Sequence, residues 1–293
     1  MKVLVSGGTG LVGRYIVEGL LAAGYIVVIG GRTPPPASLF SQPLDFRPLQ
    51  LDPKLDQTKA FDDIEAFVHA AFDHLPGKYR GGEGNDPRRF RDLNLSGSIR
   101  LFEAAKKAGV KRTTFLSSRA VYDGLPSGTI LTEALPLSTT SLYGEIKLAC
   151  EQALIELSGQ DFVTSSLRPT GVYGELRPNK WDDLMADALA GKPLGPRAGT
   201  EVHGADVAQA VRLMFESDAK IINGESFNLS DVTVDIRMII EKLRLSAPLV
   251  AFAALSANVM DCEKIRRIGW KPGGMPLFEE AMASLARQPG ADH

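Results

Sequence analysis

Residues 2–13 read KVLVSGGTGLVG, and no other stretch constrains the fold as tightly. Val3, Leu4 and Val5 form an unbroken apolar run, the pattern of a strand covered on both faces. Gly7, Gly10 and Gly13 follow at spacing G-x-x-G-x-x-G, and Leu11, Tyr15, Ile16 and Leu20 then recur at helical intervals. The sequence therefore predicts a buried parallel strand that turns directly into a helix. Glycines let a backbone approach a dinucleotide pyrophosphate, and a helix N-terminus offers that charge its unpaired N–H groups and positive dipole end. A glycine-rich turn can also be purely structural, so the rest of the chain must decide.

After a break at Gly24, residues 25–29 supply a second strand, followed by Gly30-Gly31-Arg32 and three prolines. In a dinucleotide fold an acidic residue at this point holds the ribose hydroxyls, whereas an arginine holds a 2′-phosphate. Gly31 and Arg32 thus favour NADP over NAD. A third strand is expected at residues 47–51, ending at Asp52, which is placed to meet adenine. A short helix at 60–64 leads into an apolar strand at 66–71. The Gly-rich, charged stretch 72–87 reads as a long loop at a strand's carboxyl end, either functional or merely solvated.

Residues 90–108 carry helical periodicity through Phe90, Leu93, Ile99, Leu101, Phe102 and Ala105, with Gly109 as the C-cap. A fifth strand at 113–117 runs into Ser117-Ser118. The next helix begins near Leu142, capped from within Ser138 to Ser141. On that helix Tyr143 and Lys147 stand at i and i+4, so their side chains share a face. An ammonium beside a phenol favours the phenolate and makes Tyr143 a usable acid or base. Ser118 is the candidate third group, a hydroxyl to orient a substrate oxygen.

Lys and Arg total 33 against 35 Asp and Glu, a net charge of −2 that gives no footing for nucleic acid or an anionic membrane. No stretch approaches the ~20 apolar residues of a membrane span, and no signal-peptide core precedes the first strand. Cys150 and Cys262 are too few for a disulfide framework or zinc motif, and neither His69 nor His203 has metal-ligand spacing. A cytoplasmic protein with a small-molecule partner and no metal is expected. Cys150, seven residues after Tyr143, reads as core rather than nucleophile. His69 is expected to pack at a strand end beside the cofactor, and His203 to orient the loop before Asp206. Trp181 and Tyr173 either line a substrate pocket or pack.

These motifs together resemble the extended short-chain dehydrogenase/reductase family, including its nucleotide-sugar epimerase and dehydratase branch. The resemblance is carried by G7-x-x-G10-x-x-G13, Val68-His69-Ala70-Ala71, Asn94, Ser117-Ser118 before Tyr122, Tyr143-x-x-x-Lys147 and Leu167-Arg168-Pro169 through Val172-Tyr173-Gly174. Asp261, Lys264 and Ile268-Gly269-Trp270-Lys271-Pro272 extend it through the closing segment. It implies a doubly wound α/β Rossmann fold: a cofactor domain over residues 1–170, rejoined at 205–228, and a small substrate lobe from 171–204 and 229–293. It also implies catalytic Ser118, Tyr143 and Lys147, the last also holding the nicotinamide ribose. Gly7, Gly10, Leu11, Val12, Gly13, Arg32, Asp52, Ala70, Ala71, Asn94 and Pro169 would complete the NAD or NADP site. The family pairs subunits through the helices read here at 92–108 and 142–158, so a homodimer is implied.

Two departures narrow the chemistry. Dehydratases of the branch follow the catalytic hydroxyl with Asp and Glu, whereas Arg119 and Ala120 follow Ser118, which argues against elimination of water. The arginines that sugar-nucleotide enzymes place before the Val202-His203 region and before the final motif are missing, with Gly199 at the first place and no Arg across residues 247–259. A buried diphosphate needs such partners. Arg119, Arg168, Arg177 and Arg197 remain for an acidic substrate, although each is better suited to a structural or solvated role, Arg168 above all as an ion pair at a strand end. The leading expectation is an NAD(P)-dependent oxidoreductase or epimerase acting on a secondary alcohol or ketone of a sugar or nucleotide-sugar. The alternatives are a dehydrogenase or reductase of a small non-nucleotide substrate and a non-catalytic dinucleotide sensor.

Overall fold

The computed structural model describes residues 1–75, 81–177, 179–250 and 257–287. Parts of the 72–87 loop and of the arginine-free stretch 247–259 lie outside them. The chain runs β1 (Lys2–Ser6), α1 (Leu11–Ala22), β2 (Ile26–Gly31), β3 (Asp45–Pro48), β4 (Ala66–His69), α2 (Pro87–Arg91), α3 (Gly97–Ala108) and β5 (Arg112–Leu116). It continues through α4 (Leu142–Leu157), β6 (Val163–Pro169), β7 (Gly171–Tyr173), α5 (Asp182–Leu189), β8 (Ala198–His203), α6 (Gly204–Glu216) and α7 (Ala219–Ile222). β9 (Glu225–Leu229), β10 (Val232–Asp235), α8 (Ile236–Lys242), α9 (Glu263–Arg266) and α10 (Gly274–Arg287) follow.

Seven strands form one sheet in the order β3-β2-β1-β4-β5-β6-β9, every neighbouring pair parallel. This is the doubly wound α/β arrangement, in which the strand order reverses beside β1 and opens a crevice at the strands' carboxyl ends. The apolar run of β1 is needed on both faces. Val3 and Val5 pack with Val27, Ile29, Val68, Ile16 of α1 and Val207 and Val211 of α6. Leu4 points the other way, into Val28, Phe67, Phe115, Phe102 of α3 and Ile146 of α4. Each side chain alternates between layers, as period-two geometry requires.

β10, β8 and β7 make a second, three-stranded sheet. Its core is aromatic: Tyr173 stacks on Trp181 at 5.9 Å, and Phe278 of α10 meets both edge-on. Both Tyr173 and Trp181 are fully buried, so of the two readings for them the structure supports packing. The closing Gly-Trp-Lys-Pro segment ties this part of the chain to α6. Trp270 Nε1 donates to the Asp206 carbonyl at 2.9 Å, and the Gly273 amide donates to the Asp206 carboxylate at 3.2 Å.

Some expected boundaries move. β3 covers residues 45–48, not 47–51, because Leu49 already turns away to cover Gly30. The segment 60–64 is one 3₁₀ turn, Thr58–Phe61. The helix expected over 90–108 is interrupted by a π-helical turn, Asp92–Ser96, between α2 and α3. The apolar positions that marked this helix in the sequence, Phe90, Leu93 and Ile99 onward, did not disclose that turn. Gly109 does take the left-handed C-cap conformation, at φ +88°.

Candidate functional site

A cleft of about 1490 Å³ runs along the carboxyl ends of the main sheet and under the smaller one. That exceeds the ~300–1,000 Å³ of a pocket for one small ligand, leaving room for a dinucleotide with a second molecule. One end is built by β1 and α1. Gly7 takes φ +71°, and a Cβ there would lie 2.6 Å from the Ala71 amide nitrogen, so a side chain would drive β1 and β4 apart. A Cβ at Gly13 would overlap the Gly7 carbonyl group. Gly10 is the N-cap of α1 and supplies no side-chain cap, which leaves the helix's first amides to the cleft. Gly10 itself has open space where a Cβ would sit, with only the Gly7 carbonyl oxygen 3.4 Å away. The cradle fits a pyrophosphate.

Leu11, Val12, Arg32, Asp52, Ala70, Ala71, Pro169 and Lys147 line the same cleft. Asn94, expected to support the site from the central helix, lies behind that lining. It is fully buried and does not face the cleft; its side chain accepts from the Asp73 amide at 2.6 Å and donates to the Asp73 and Phe90 carbonyls at 2.8 and 3.0 Å. The π-turn gives it that aim. Asn94 therefore pins the start of the loop after β4.

His69 occupies the end of β4 as a buried, neutral ring. Burial, reinforced by the Lys147 charge, pushes its pKa down to about 3. Its tautomer follows from its neighbours. Ser98 Oγ donates to the Asn94 carbonyl at 2.6 Å and so accepts from His69 Nε2 at 2.8 Å, leaving Nδ1 to accept from Ser6 Oγ at 2.7 Å. A hydrogen-bonded chain thus joins the strand entering the glycine turn to the helix that positions Asp73.

In the middle of the cleft stand Ser118, Tyr143 and Lys147. Ser141 caps α4, its Oγ accepting from the Gly144 amide at 3.1 Å, which sets the first turn bearing Tyr143. The Tyr143 ring meets Phe72 edge-on at 5.1 Å. Lys147 is almost wholly buried: Nζ donates to the Leu116 carbonyl at 2.6 Å and lies 4.7 Å from the Phe72 and Phe115 ring centres and 5.7 Å from that of Tyr143. Burial lowers its pKa to about 8, partly offset by Cys150 and Glu151. Ser118 caps the 3₁₀ turn Arg119–Tyr122 by accepting from the Ala120 amide at 3.2 Å, so its hydroxyl proton is available to donate. Ser117 Oγ, buried behind it, has no hydrogen-bond partner among the described residues.

The remaining candidates separate cleanly. Arg168 forms a buried ion pair with Glu151 at 2.6 Å and donates to Tyr122 Oη at 2.6 Å, a structural role. Arg177 pairs with Asp182, and Arg119 with Asp123. Cys150 is buried, its thiol pushed up to about 12 by desolvation, hence inert. His203 caps α6 by accepting from the Ala205 amide at 3.1 Å. Among the described residues no group of His, Cys, Asp or Glu is arranged to hold a metal, and no helix is long and apolar enough to cross a membrane.

Two groups of cleft residues escaped sequence reasoning. Lys180 forms an ion pair with the buried Glu201 on the far wall, with Arg197 3.4 Å from the other Glu201 oxygen. Gly171 has no room for a side chain against that pair. The second group is Asp73 with Arg89, on the loop after β4 and on α2. Both lack any motif spacing, since tertiary folding alone brings them together.

The family model described as the NAD dependent epimerase/dehydratase family matches residues 3–230. The chain belongs to that family. Among curated proteins, UDP-glucose 4-epimerase of Bacillus subtilis is 32% identical over 216 residues, 66% of this chain and 62% of that protein. A 3-beta-hydroxysteroid dehydrogenase of Mycolicibacterium neoaurum is 30% identical over 205 residues, 65% of this chain and 52% of its own length. The chain thus spans less than two thirds of the length of such relatives. Among solved structures, UDP-glucose 4-epimerase of Thermus thermophilus in complex with NAD superposes at TM-score 0.78 with 25% identity, covering 98% of both chains. MoeE5 in complex with UDP-glucuronic acid and NAD reaches TM-score 0.80 at 23% identity, again with 98% of both covered, a likeness of fold.

Proposed function

We propose that this member of the family is an NAD(P)-dependent oxidoreductase or epimerase acting on a secondary alcohol or ketone of a sugar or nucleotide-sugar. The carrying observation is that Ser118, Tyr143 and Lys147 share one cleft with an uncapped helix N-terminus behind a glycine turn. The nicotinamide cofactor, when bound, takes or returns hydride. The chain's own residues handle binding and the proton. The first amides of α1 receive the pyrophosphate, with Gly7, Gly10, Leu11, Val12, Gly13, Ala70, Ala71 and Pro169 shaping the cradle and Asp52 meeting adenine. Lys147 holds the nicotinamide ribose and, through its charge, favours the ionised phenol of Tyr143. Ser118 donates to the substrate oxygen, and Tyr143 exchanges the proton with it. Gly31 and Arg32 at the end of β2 favour NADP, since the strand ends in Gly30-Gly31-Arg32 and not in an acidic residue for the ribose hydroxyls.

The unit that carries the cofactor is assigned to residues 1–170 and 205–228. The substrate lobe takes 171–204 and 229–293, in keeping with β9 returning to the main sheet. We assign a cytoplasmic homodimer, paired through α3 and α4. The relatedness to a hydroxysteroid dehydrogenase favours a second reading, net oxidation or reduction of a small non-nucleotide substrate. One experiment separates the two. The purified protein is denatured and any released dinucleotide identified by mass spectrometry, and UDP-glucose is then followed by NMR for epimer formation. Retained dinucleotide with epimer formation supports the first reading; an empty protein that turns over free NAD(P)H supports the second. Full turnover by Tyr143→Phe overturns both.

A further inference from the structure

Asp73 stands where two arginines converge. Arg32 follows the last residue of β2 and Arg89 lies on α2, so they arrive from different walls of the cleft. Arg32 Nη1 is 3.7 Å from Asp73 Oδ1, and Arg89 Nη1 is 3.6 Å from Oδ2. The anchor is fixed, because Asn94 holds the Asp73 backbone through both its amide and its carbonyl. The base of α2 is fixed as well, Asp86 capping it by accepting from the Arg89 amide at 2.9 Å. Gln50, Leu51 and Asp52 line the cleft alongside, at the adenosine end.

Among the described residues, two guanidinium groups thus face the single carboxylate of Asp73, one at each of its oxygens. The arginine side chains are 76% and 64% exposed, and such solvated pairs are worth at most ~1 kcal/mol each. A phosphate monoester carries up to two charges and accepts paired N–H bonds from guanidinium forks, so it outcompetes a carboxylate held at these distances. We propose that Arg32 and Arg89 form a two-sided clamp for the 2′-phosphate of a phosphorylated dinucleotide, and that Asp73 is the resident anion holding both arms in place until the phosphate arrives. This rests on the dinucleotide site proposed above; the new assignments are Arg89 as a binding residue and Asp73 as its competitor.

The test is equilibrium binding of NADPH, NADH, 2′,5′-ADP and ADP to the full chain at low ionic strength, read by fluorescence or calorimetry. All the altered side chains are exposed or half-buried, and a thermal melt of each variant confirms folding. We expect NADPH to bind more tightly than NADH. Arg32→Ala and Arg89→Ala should each weaken NADPH and 2′,5′-ADP about tenfold or more and NADH less than about twofold. Arg89→Lys should recover only part of the loss, and Asp73→Asn should tighten NADPH severalfold without moving NADH. Loss of NADPH preference in Arg32→Ala with Arg89→Ala unchanged overturns the clamp and leaves the Arg32 reading intact. Equal binding of NADH and NADPH by the wild type overturns the 2′-phosphate assignment, and failure of either dinucleotide to bind removes the site itself.

Discussion

Replacing Lys147 by methionine tests whether the buried ammonium is held in place at the expense of stability. In the folded chain its pKa falls from 10.5 to about 8, with burial as the main cause. That difference corresponds to about 3 kcal/mol at ~1.36 kcal/mol per pH unit. The sign follows from proton counting. Below pH 8 both folded and unfolded lysine are charged, and the full burial cost is present. Between pH 8 and 10.5 the unfolded chain holds a proton that the folded chain has lost, so wild-type stability rises with pH. Methionine is similar in volume, carries no charge and has no such dependence. The variant also loses the hydrogen bond to Leu116 and the contacts with Phe72 and Phe115, but these shift its stability by much the same amount at every pH. The informative quantity is therefore the difference in unfolding free energy between wild type and Lys147→Met, measured by denaturant titration at pH 7 and pH 10.5. It should move by about 3 kcal/mol in favour of the wild type as pH rises. A change under about 1 kcal/mol would refute the argument and place the ammonium in contact with water.

Three further outcomes are expected. Gly13→Ala should abolish measurable dinucleotide binding, seen as loss of ligand-induced thermal shift, because its Cβ overlaps the Gly7 carbonyl; an unchanged shift would mean that the turn does not cradle the cofactor. Glu151→Gln should lower stability by about 3 kcal/mol or more in denaturant titration, since Arg168 would keep its buried charge without a counterion. Burial raises the pKa of Asp206 to about 6, so the folded chain binds that proton more tightly than the unfolded one. Relative to Asp206→Asn, the wild type should gain stability as pH falls from 7 to 4, and a loss over that window would contradict the assignment.

The glycine-turn end of the cleft was readable because its logic is local. The glycine turn, the apolar strand before it and the helix after it are contiguous, and the Tyr143–Lys147 spacing needs only a helix to acquire meaning. Ser118 was readable from its place at a strand end. Arg168 was recognised as structural from its position at such an end, though its partner Glu151 was not, since that pairing depends on α4 crossing β6. The same limit hid Lys180 with Glu201 and Arg89 with Asp73. Asn94 was singled out as a support for the site, but its hydrogen bonds to the Asp73 backbone depend on the π-turn and on tertiary folding.

The position of β9 has a consequence for synthesis. Once residue 170 has left the ribosome, six of the seven parallel strands exist, yet β6 presents an open hydrogen-bonding edge and Val163 and Leu167 lack part of their cover. The closing strand is 55 residues further on, 225 − 170, behind β7, β8 and α6. At ~5–20 residues per second the nascent chain therefore carries an unsatisfied edge for several seconds, the kind of surface on which misassembly and chaperone capture begin. Fragments ending near residue 170 should be far less soluble than the whole chain, even though they contain the glycine turn, Ser118, Tyr143 and Lys147.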